Sequence, residues 1–219
     1  MRLILASSSP RRIDLLSLLQ IPFIPVDPHF VETVRADRVP MEQARGFALG
    51  KAESCRQRFP DSIILGCDTL IEIDGEVLGK PADLNDAERT LRRLSGRDHL
   101  IHTAVAMIET ARGRSESAVE TVRVRFTTLD DADVKAYLDT RESLGKAGAY
   151  AIQGAGARLI ECIDGDYTAA VGLPLRRVAD MVTRAGLVLP LDVESLYRTK
   201  PYPNWERFTS TPRDGCRLH

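Results

Sequence analysis

The chain has 219 residues, which is enough for one large domain or two small lobes with a real core. Hydrophobic residues make up 43% and charged residues 28%, a composition typical of soluble globular proteins. Thirty basic against 31 acidic residues leave a formal net charge of −1, so the bulk charge attracts neither nucleic acid nor an anionic membrane. Any anion site must therefore be a local cluster of basic side chains.

Targeting and redox signals point to a cytoplasmic protein. No stretch approaches ~18 uninterrupted apolar residues, so we expect no transmembrane helix. The charged residues Arg11, Arg12 and Asp14 interrupt the N-terminal segment where a signal peptide needs its apolar core. The four cysteines show no Cys-x-x-Cys spacing, and three lie in apolar surroundings typical of reduced thiols. The four histidines do not pair at the spacing of a zinc site.

The first half of the chain alternates between strand-like and helix-like patterns. Short apolar runs predict strands at residues 2–6, 23–26 and 62–66. A helix is predicted to begin at Pro10, where a preceding serine can cap it, and a longer helix is predicted over residues 40–59. Residues 70–78 predict a β-hairpin with Asp74 and Gly75 in its turn.

The second half begins with a helix capped by Asn85 and two antiparallel strands over 99–109 and 116–127. The remaining predictions are a helix from 129, a structured loop over 145–156, a hairpin of 158–163 with 167–171, and a closing helix over 173–185. After Asp192 the chain turns polar. We predict one domain over residues 1–191 and a polar C-terminal extension over 192–219, poorly ordered or packed on a partner.

These elements predict an α/β fold with a mixed sheet, because strands of both pairing types alternate with helices. The long central hairpin indicates a second lobe. A cleft between two lobes is a usual place for a ligand.

The segment from Ser7 to Arg12 lies where a strand turns into a helix. Such a junction presents free backbone N–H groups to an anion. The hydroxyls of Ser7 and Ser8 add donors, and the guanidinium groups of Arg11 and Arg12 add charge in a forked geometry. The segment predicts a phosphate site, although a capped helix with two surface arginines fits the spacing equally well. It is not a Walker-type loop.

Asp68 and Thr69 follow an apolar strand, a common position of active-site residues in α/β sheets. The Asp68 carboxylate can hold a metal or accept a proton from water, but a polar turn at a strand end is the commoner meaning of such a pair. Lys51 and Lys80 are each typical of a solvated lysine; with the two arginines they can neutralise a triphosphate. Gln153 can bond a base edge, although a lone glutamine is more often a surface amide.

Seven segments, taken together and in order, resemble the Maf family, also called septum-formation inhibitor proteins, over residues 2 to about 190. The segments are Leu-Ala-Ser-Ser-Ser-Pro-Arg-Arg at 5–12, Lys-Ala at 51–52, Leu-Gly-Cys-Asp-Thr at 65–69, Gly-Lys-Pro at 79–81, Leu-Ser-Gly at 94–96, Lys-Ala-Gly-Ala-Tyr-Ala-Ile-Gln-Gly at 146–154 and Val-Gly-Leu-Pro-Leu at 171–175.

The resemblance implies a fold similar to that of the inosine-triphosphate pyrophosphatases: an elongated mixed sheet flanked by helices, two lobes, a central cleft and often a homodimer. It implies hydrolysis of a nucleoside triphosphate between its α and β phosphates, with Mg²⁺ or Mn²⁺. Segment 146–154 resembles the branch that acts on dTTP and UTP. The alternatives are 7-methyl-GTP or a modified purine nucleotide as substrate, or a non-catalytic nucleotide-binding regulator of cell division.

The resemblance also implies roles for particular residues. Asp68 is the expected proton acceptor that activates water, and Glu32 joins Asp68 as the expected metal site. Thr69 and Gln153 are expected to shape substrate choice. The full set of expected substrate-binding residues is Ser7, Ser8, Arg11, Arg12, Lys51, Thr69, Lys80 and Gln153.

Overall fold

A computed structural model of the protein describes residues 1–209. Its centre is a seven-stranded sheet of order β2-β1-β3-β5-β6-β7, with β4 paired to β3. The strands are β1 Arg2–Ala6, β2 Phe23–Val26, β3 Ser62–Ile73, β4 Glu76–Leu78, β5 Asp98–Glu109, β6 Arg114–Phe126 and β7 Ile160–Asp164. The α-helices are α1 Pro10–Ser17, α2 Pro40–Ser54, α3 Leu84–Leu94, α4 Asp131–Leu138, α5 Tyr167–Val171, α6 Leu175–Arg184, α7 Val193–Thr199 and α8 Trp205–Thr209. Short 3₁₀ turns occupy Ala147–Ala149 and Ala155–Leu159.

The sheet is mixed, as the sequence predicted. β1 runs parallel to β2 and β3, whereas β3, β5, β6 and β7 pair antiparallel. Mixed pairing with helices on both faces confirms the α/β class.

One edge of β3 changes neighbours part-way along the strand. β3 pairs with β1 as far as Gly66 and with β4 from Ile71 onward. Within residues 1–209, the backbone of 67–70 therefore has a strand neighbour only on its β5 side. This uncovered stretch of edge is where a ligand can approach the sheet.

The two faces of the sheet are covered differently. The larger core cluster joins α1, α3, α5 and α6 to one face, while α2 covers the other face through alanines that touch β3 and β5. The approach of α2 is close: a Cβ added at Gly66 would lie 2.1 Å from the carbonyl oxygen of Ala48. Only glycine at position 66 permits this contact, which seats α2 beside the middle of β3.

Several local predictions were wrong. The long helix ends at Ser54, not near residue 59. Asp83, not Asn85, caps α3 by accepting from the Asp86 N–H. The side chain of Ser9, which precedes α1, makes no capping bond within the described part of the chain.

The predicted hairpin of 158–163 with 167–171 is also wrong. Residues 160–164 form β7, which pairs with β6, but residues 167–171 form helix α5. The Asp166 carboxylate accepts a hydrogen bond from the Thr168 N–H at 2.8 Å. This cap satisfies a free N–H group of the first helical turn.

Residues 193–209 are not poorly ordered, which was one of the two states predicted for the extension. They form α7 and α8, and both helices pack on the domain. Trp205 is 1% exposed, and its ring stacks on Tyr167 at a centroid distance of 5.7 Å. Residues 210–219 of the predicted extension lie outside the described residues.

Cys55 and Cys67 are buried free thiols, as predicted. Cys162 is disulfide-bonded, so the expectation of a reduced thiol is wrong at that position. Cys216 lies outside the described residues. No helix in residues 1–209 combines the length and the apolar character that crossing a bilayer requires.

Candidate active site

A cleft of about 700 Å³ opens at the uncovered edge of β3. All ten residues that the sequence analysis singled out line it: Ser7, Ser8, Arg11, Arg12, Glu32, Lys51, Asp68, Thr69, Lys80 and Gln153. They come from the β1–α1 junction, the loop before α2, α2 itself, β3, the segment after β4 and the 145–156 loop. The fold thus brings together side chains that are far apart in the sequence.

Asp68 lies within β3, not after its end as the sequence predicted. It comes two residues after the last pair with β1, Ala6 with Gly66. The strand that ends beside the cleft is therefore β1. The Asp68 side chain is 4% exposed and still reaches the cleft, because the edge of β3 is open there.

Lys51 joins two carboxylates. Its Nζ lies 2.6 Å from Oδ1 of Asp68 and 2.5 Å from Oε1 of Glu32, and a longer contact of 3.4 Å reaches the carbonyl oxygen of Cys67. The Lys51 side chain is 8% exposed, so Lys51 is not a solvated lysine. The close packing of α2 against Gly66 places the ammonium group there.

The two carboxylates differ in their electrostatics. Burial raises the pKa of Asp68 above its usual value, although the charges of Lys51 and Arg12 oppose the shift. Burial acts in the same direction on Glu32, but the hydrogen bond and charge of Lys51, together with two further cations, outweigh it and lower the pKa of Glu32. A raised carboxyl pKa brings a base closer to neutral pH, which favours proton transfer.

Oδ2 of Asp68 is buried and has no hydrogen-bond partner among the described residues. An unpartnered carboxylate oxygen beside a second carboxylate suits a hard divalent cation, since Mg²⁺ usually takes one or two carboxylates and completes its shell with water and substrate phosphates. Within residues 1–209, no three His, Cys, Asp or Glu side chains group closely enough to hold a metal alone. The donor set therefore fits a cation that arrives with phosphate oxygens.

Arg12 is fixed by three protein acceptors. Its Nε donates to the carbonyl oxygen of Gly172 at 3.0 Å, Nη1 to Oγ of Ser7 at 3.4 Å and Nη2 to Oγ1 of Thr69 at 3.2 Å. A guanidinium carries five N–H groups, so these three bonds do not use the whole donor set of Arg12. Arg11 lies beside it, and burial together with the charge of Arg12 lowers the pKa of Arg11. Both arginines line the cleft, and the hydrogen bonds hold Arg12 in place.

The loop that carries Gln153 is held by Glu142. One carboxylate oxygen accepts from the Ala155 N–H at 3.3 Å, and the other accepts from the Gly156 N–H at 3.0 Å and from the Tyr137 hydroxyl at 3.0 Å. Gln153 itself is half-buried at the cleft wall.

A model of the family described as Maf-like protein matches residues 2–185. The chain belongs to the Maf family. The Maf relatives include proteins named dTTP/UTP pyrophosphatase from Symbiobacterium thermophilum (49% identical; 84% of this chain and 94% of the relative covered), Bacillus velezensis (46%; 80% and 92%) and Shewanella oneidensis (41%; 86% and 100%).

Among solved structures, a HAM1 protein from Coxiella burnetii matches 84% of this chain and 99% of its own, at 16% identity and a TM-score of 0.47. A likeness at this level carries no inference for the Maf chain.

Three features of this Maf site escaped the sequence analysis. Lys146 and Phe30 also line the cleft, and Glu142 holds the loop that carries Gln153. Lys146 is the first residue of the segment 146–154 that resembles the family, so its charge within that motif could have marked it as a site residue. Neither Phe30 nor Glu142 carries a local pattern that marks it, because their positions depend on how distant loops fold back.

Proposed function

We propose that this protein hydrolyses dTTP and UTP to the nucleoside monophosphate and pyrophosphate. The observation that carries the proposal is Oδ2 of Asp68, a buried and unpartnered carboxylate oxygen in a cleft walled by Arg11, Arg12, Lys80 and Lys146. A base next to several cations suits hydrolysis of a polyanion, whereas a site that only binds nucleotide needs no base. The names of the relatives support the same activity.

In this mechanism Asp68 accepts a proton from a water molecule as the water oxygen attacks the α-phosphorus. The bond from that phosphorus to the bridging oxygen breaks, and pyrophosphate leaves with the electron pair. Negative charge grows on the leaving group, and the guanidinium of Arg12 and the ammonium of Lys80 stabilise it. Lys51 holds Asp68 in place through Oδ1, and Oδ2 has no partner among the described residues.

We infer that Asp68 and Glu32 hold a divalent cation, Mg²⁺ or Mn²⁺. Such a cation, when bound, polarises the phosphoryl oxygens and offsets their charge. Lys51 draws the two carboxylates close together through Oδ1 of Asp68 and Oε1 of Glu32, and Oδ2 of Asp68 keeps no partner among the described residues.

The preference for a pyrimidine base rests on Gln153. Its amide has both a donor and an acceptor and can pair with the edge of uracil or thymine from the loop that Glu142 holds. Removal of noncanonical or surplus nucleotides is the cellular role that we propose. The homodimer and the cytoplasmic location stay predictions.

The test is pyrophosphate release from dTTP, UTP, CTP, 7-methyl-GTP and inosine triphosphate, each with Mg²⁺, with Mn²⁺ and with a chelator. We expect release from dTTP and UTP, and none with the chelator. A preference for 7-methyl-GTP or inosine triphosphate would support hydrolysis to pyrophosphate but would show that dTTP and UTP are not the preferred substrates. Tight nucleotide binding without release from any of the five would reject hydrolysis in favour of a binding regulator.

A further inference from the structure

A chain of hydroxyl groups runs from the cleft into the interior. Oγ1 of Thr69 lies 3.0 Å from Oγ1 of Thr103, and the Thr103 hydroxyl donates to the carbonyl oxygen of Ala169 at 2.8 Å. Thr103, on β5, is fully buried and does not line the cleft. Thr69 is half-buried and does line it.

The direction of each hydroxyl proton in this hydrogen-bonded series follows from counting donors and acceptors. A carbonyl oxygen cannot donate, so the single proton of Thr103 is used on Ala169. Thr103 can then only accept from its neighbour, and the proton of Thr69 points to Thr103. The Nη2 group of Arg12 donates to the same Thr69 oxygen at 3.2 Å. Among the described residues, this leaves Thr69 one free lone pair and no proton for a ligand.

We propose that Thr103 is a positioning residue that fixes Thr69 as a hydrogen-bond acceptor, so that the site selects nucleotides with a donor group at this point. This inference rests on the proposed function and deepens it. An acceptor that cannot rotate to become a donor rejects a ligand acceptor, because the two lone pairs would meet with no proton between them.

The proposed substrates limit which group of the nucleotide can donate to Thr69. dTTP and UTP share the ring N3–H and the sugar 3′-hydroxyl, whereas only UTP has a 2′-hydroxyl. The donor is therefore N3–H or the 3′-hydroxyl. In cytosine the N3 atom is an acceptor, so CTP tests the first source. A 3′-deoxy analogue of UTP tests the second.

The experiment compares Thr103→Val with the matched control Thr103→Ser. Valine keeps the shape and removes the hydroxyl, whereas serine keeps the hydroxyl. Pyrophosphate release is measured for UTP, CTP and 3′-deoxy-UTP as kcat and KM. In the wild type we expect UTP to exceed one of the other two by about tenfold or more in kcat/KM, the size of one hydrogen bond. In Thr103→Val that ratio falls toward one, since the Thr69 proton is released, and Thr103→Ser restores it.

A fall in the UTP to CTP ratio identifies N3–H as the donor, and a fall in the UTP to 3′-deoxy-UTP ratio identifies the sugar. Equal ratios in Thr103→Val and Thr103→Ser overturn the inference, as does a wild type with no discrimination in either pair. If Thr103→Val does not fold, Thr103→Ala against Thr103→Ser gives the same comparison, because alanine also removes the hydroxyl and leaves Thr69 unchanged.

Binding separates this inference from the proposed function. The dissociation constants of UTP, CTP and 3′-deoxy-UTP analogues with a methylene group between the α and β phosphorus atoms can be measured without turnover. If the wild type hydrolyses nothing, the proposed function fails, and the ratios of these constants in the same variants still support or reject the role of Thr103.

Discussion

The surroundings of Asp68 conflict with the charge of its carboxylate. Burial raises the pKa of its carboxyl, and the charges of Lys51 and Arg12, with the hydrogen bond from Lys51, work against that shift. A carboxyl whose pKa is higher in the folded than in the unfolded chain lowers stability at pH values above its usual pKa, because folding then opposes ionisation. The protein thus keeps an unfavourable charge at the point where a base is needed, as functional sites often do.

Asp68→Asn should therefore separate activity from stability. We expect turnover to fall by about 10²–10⁴-fold, the usual contribution of a general base. The melting temperature should not fall, because the buried charge is removed and Asn still offers an oxygen to Lys51. Pyrophosphate release and thermal unfolding measure the two effects. Near-normal turnover would show that Asp68 is not the base.

Glu109→Gln is the matched control for that experiment. Glu109 is also a buried carboxylate paired with a cation, since it lies 2.7 Å from Nη1 of Arg112 and is 6% exposed. It lies at the last residue of β5 and does not line the cleft. We expect this variant to keep its turnover, so a comparable loss here would mean that any buried charge change disturbs the site.

At the scale of elements, the contact between α2 and β3 sets the geometry of the site. A Cβ at Gly66 would lie 2.1 Å from the oxygen of Ala48 and 2.8 Å from the nitrogen of Ala52. These are backbone atoms, which move only if the helix moves. α2 carries Lys51 and β3 carries Asp68, so a change in the spacing of the two elements also changes the distance between the ammonium and the carboxylate.

Gly66→Ala should push α2 away from the sheet. We expect a loss of about 1–3 kcal/mol in the free energy of unfolding, as in other overpacked cores, together with reduced turnover because Lys51 moves from Asp68. Gly46→Ala on the same helix is the control: among the described residues nothing lies within 4 Å of its added Cβ. That change should stabilise by about 0.5–1 kcal/mol. Urea unfolding of both variants measures the two changes in stability. Equal unfolding midpoints for Gly66→Ala and Gly46→Ala would contradict the packing argument.

At the scale of the whole molecule, the C-terminal helices complete the core. The ring of Trp205 stacks on Tyr167 of α5 and meets Tyr197 of α7 edge-on at 4.9 Å. α5 leads directly to Val171 and Gly172, which line the cleft. The segment beyond residue 192 therefore supports the wall of the site from behind.

Trp205→Ala should cost about 3–5 kcal/mol, the usual loss for a buried aromatic side chain. Such a loss is a large part of the total stability of a typical domain. Val188→Ala is the control, because Val188 is 87% exposed and should change stability little. Denaturant unfolding gives both values. An unchanged midpoint in Trp205→Ala would mean that α8 does not pack on the domain in solution.

The stability of the whole molecule should also fall in mild acid because of His99. Burial lowers the pKa of His99 to about 3, while its Nε2 lies 2.7 Å from the Tyr150 hydroxyl. The unfolded chain binds a proton near pH 6.5 and the folded chain does not, so stability is full above pH 6.5 and declines as the pH falls toward 3. We expect about 2 kcal/mol less stability at pH 5 than at pH 7 from this residue.

Urea unfolding at pH 7, 6 and 5 measures this effect. His99→Leu should remove most of the difference between pH 7 and pH 5, because leucine does not titrate. His29→Gln should keep it, since the His29 side chain is 72% exposed. The same pH dependence in His99→Leu as in the wild type would show that another group is responsible.

The local sequence was sufficient for most of the elements. Periodicity and turn residues located the first six strands along the chain and most helices, because strand and helix periods depend only on neighbours in the chain. The local sequence did not predict the structure of residues 167–171, because the composition of this apolar run suits either a strand or a helix. The cap at Asp166 and the packing of α5 on the sheet favour a helix there. The local sequence failed again after residue 192, where a few buried aromatic side chains outweigh a polar composition.

The motifs, through their family resemblance, singled out ten residues that all line one cleft, and their side-chain types indicated a polyanion. Only the tertiary structure decided what those residues do to one another. Lys51 joins two carboxylates because α2 packs tightly on Gly66, and Thr103 meets Thr69 because the register of β3 and β5 pairs them. Such contacts join residues tens of positions apart, and their geometry depends on distances of a few tenths of an ångström. A linear pattern carries the residue types but not those distances.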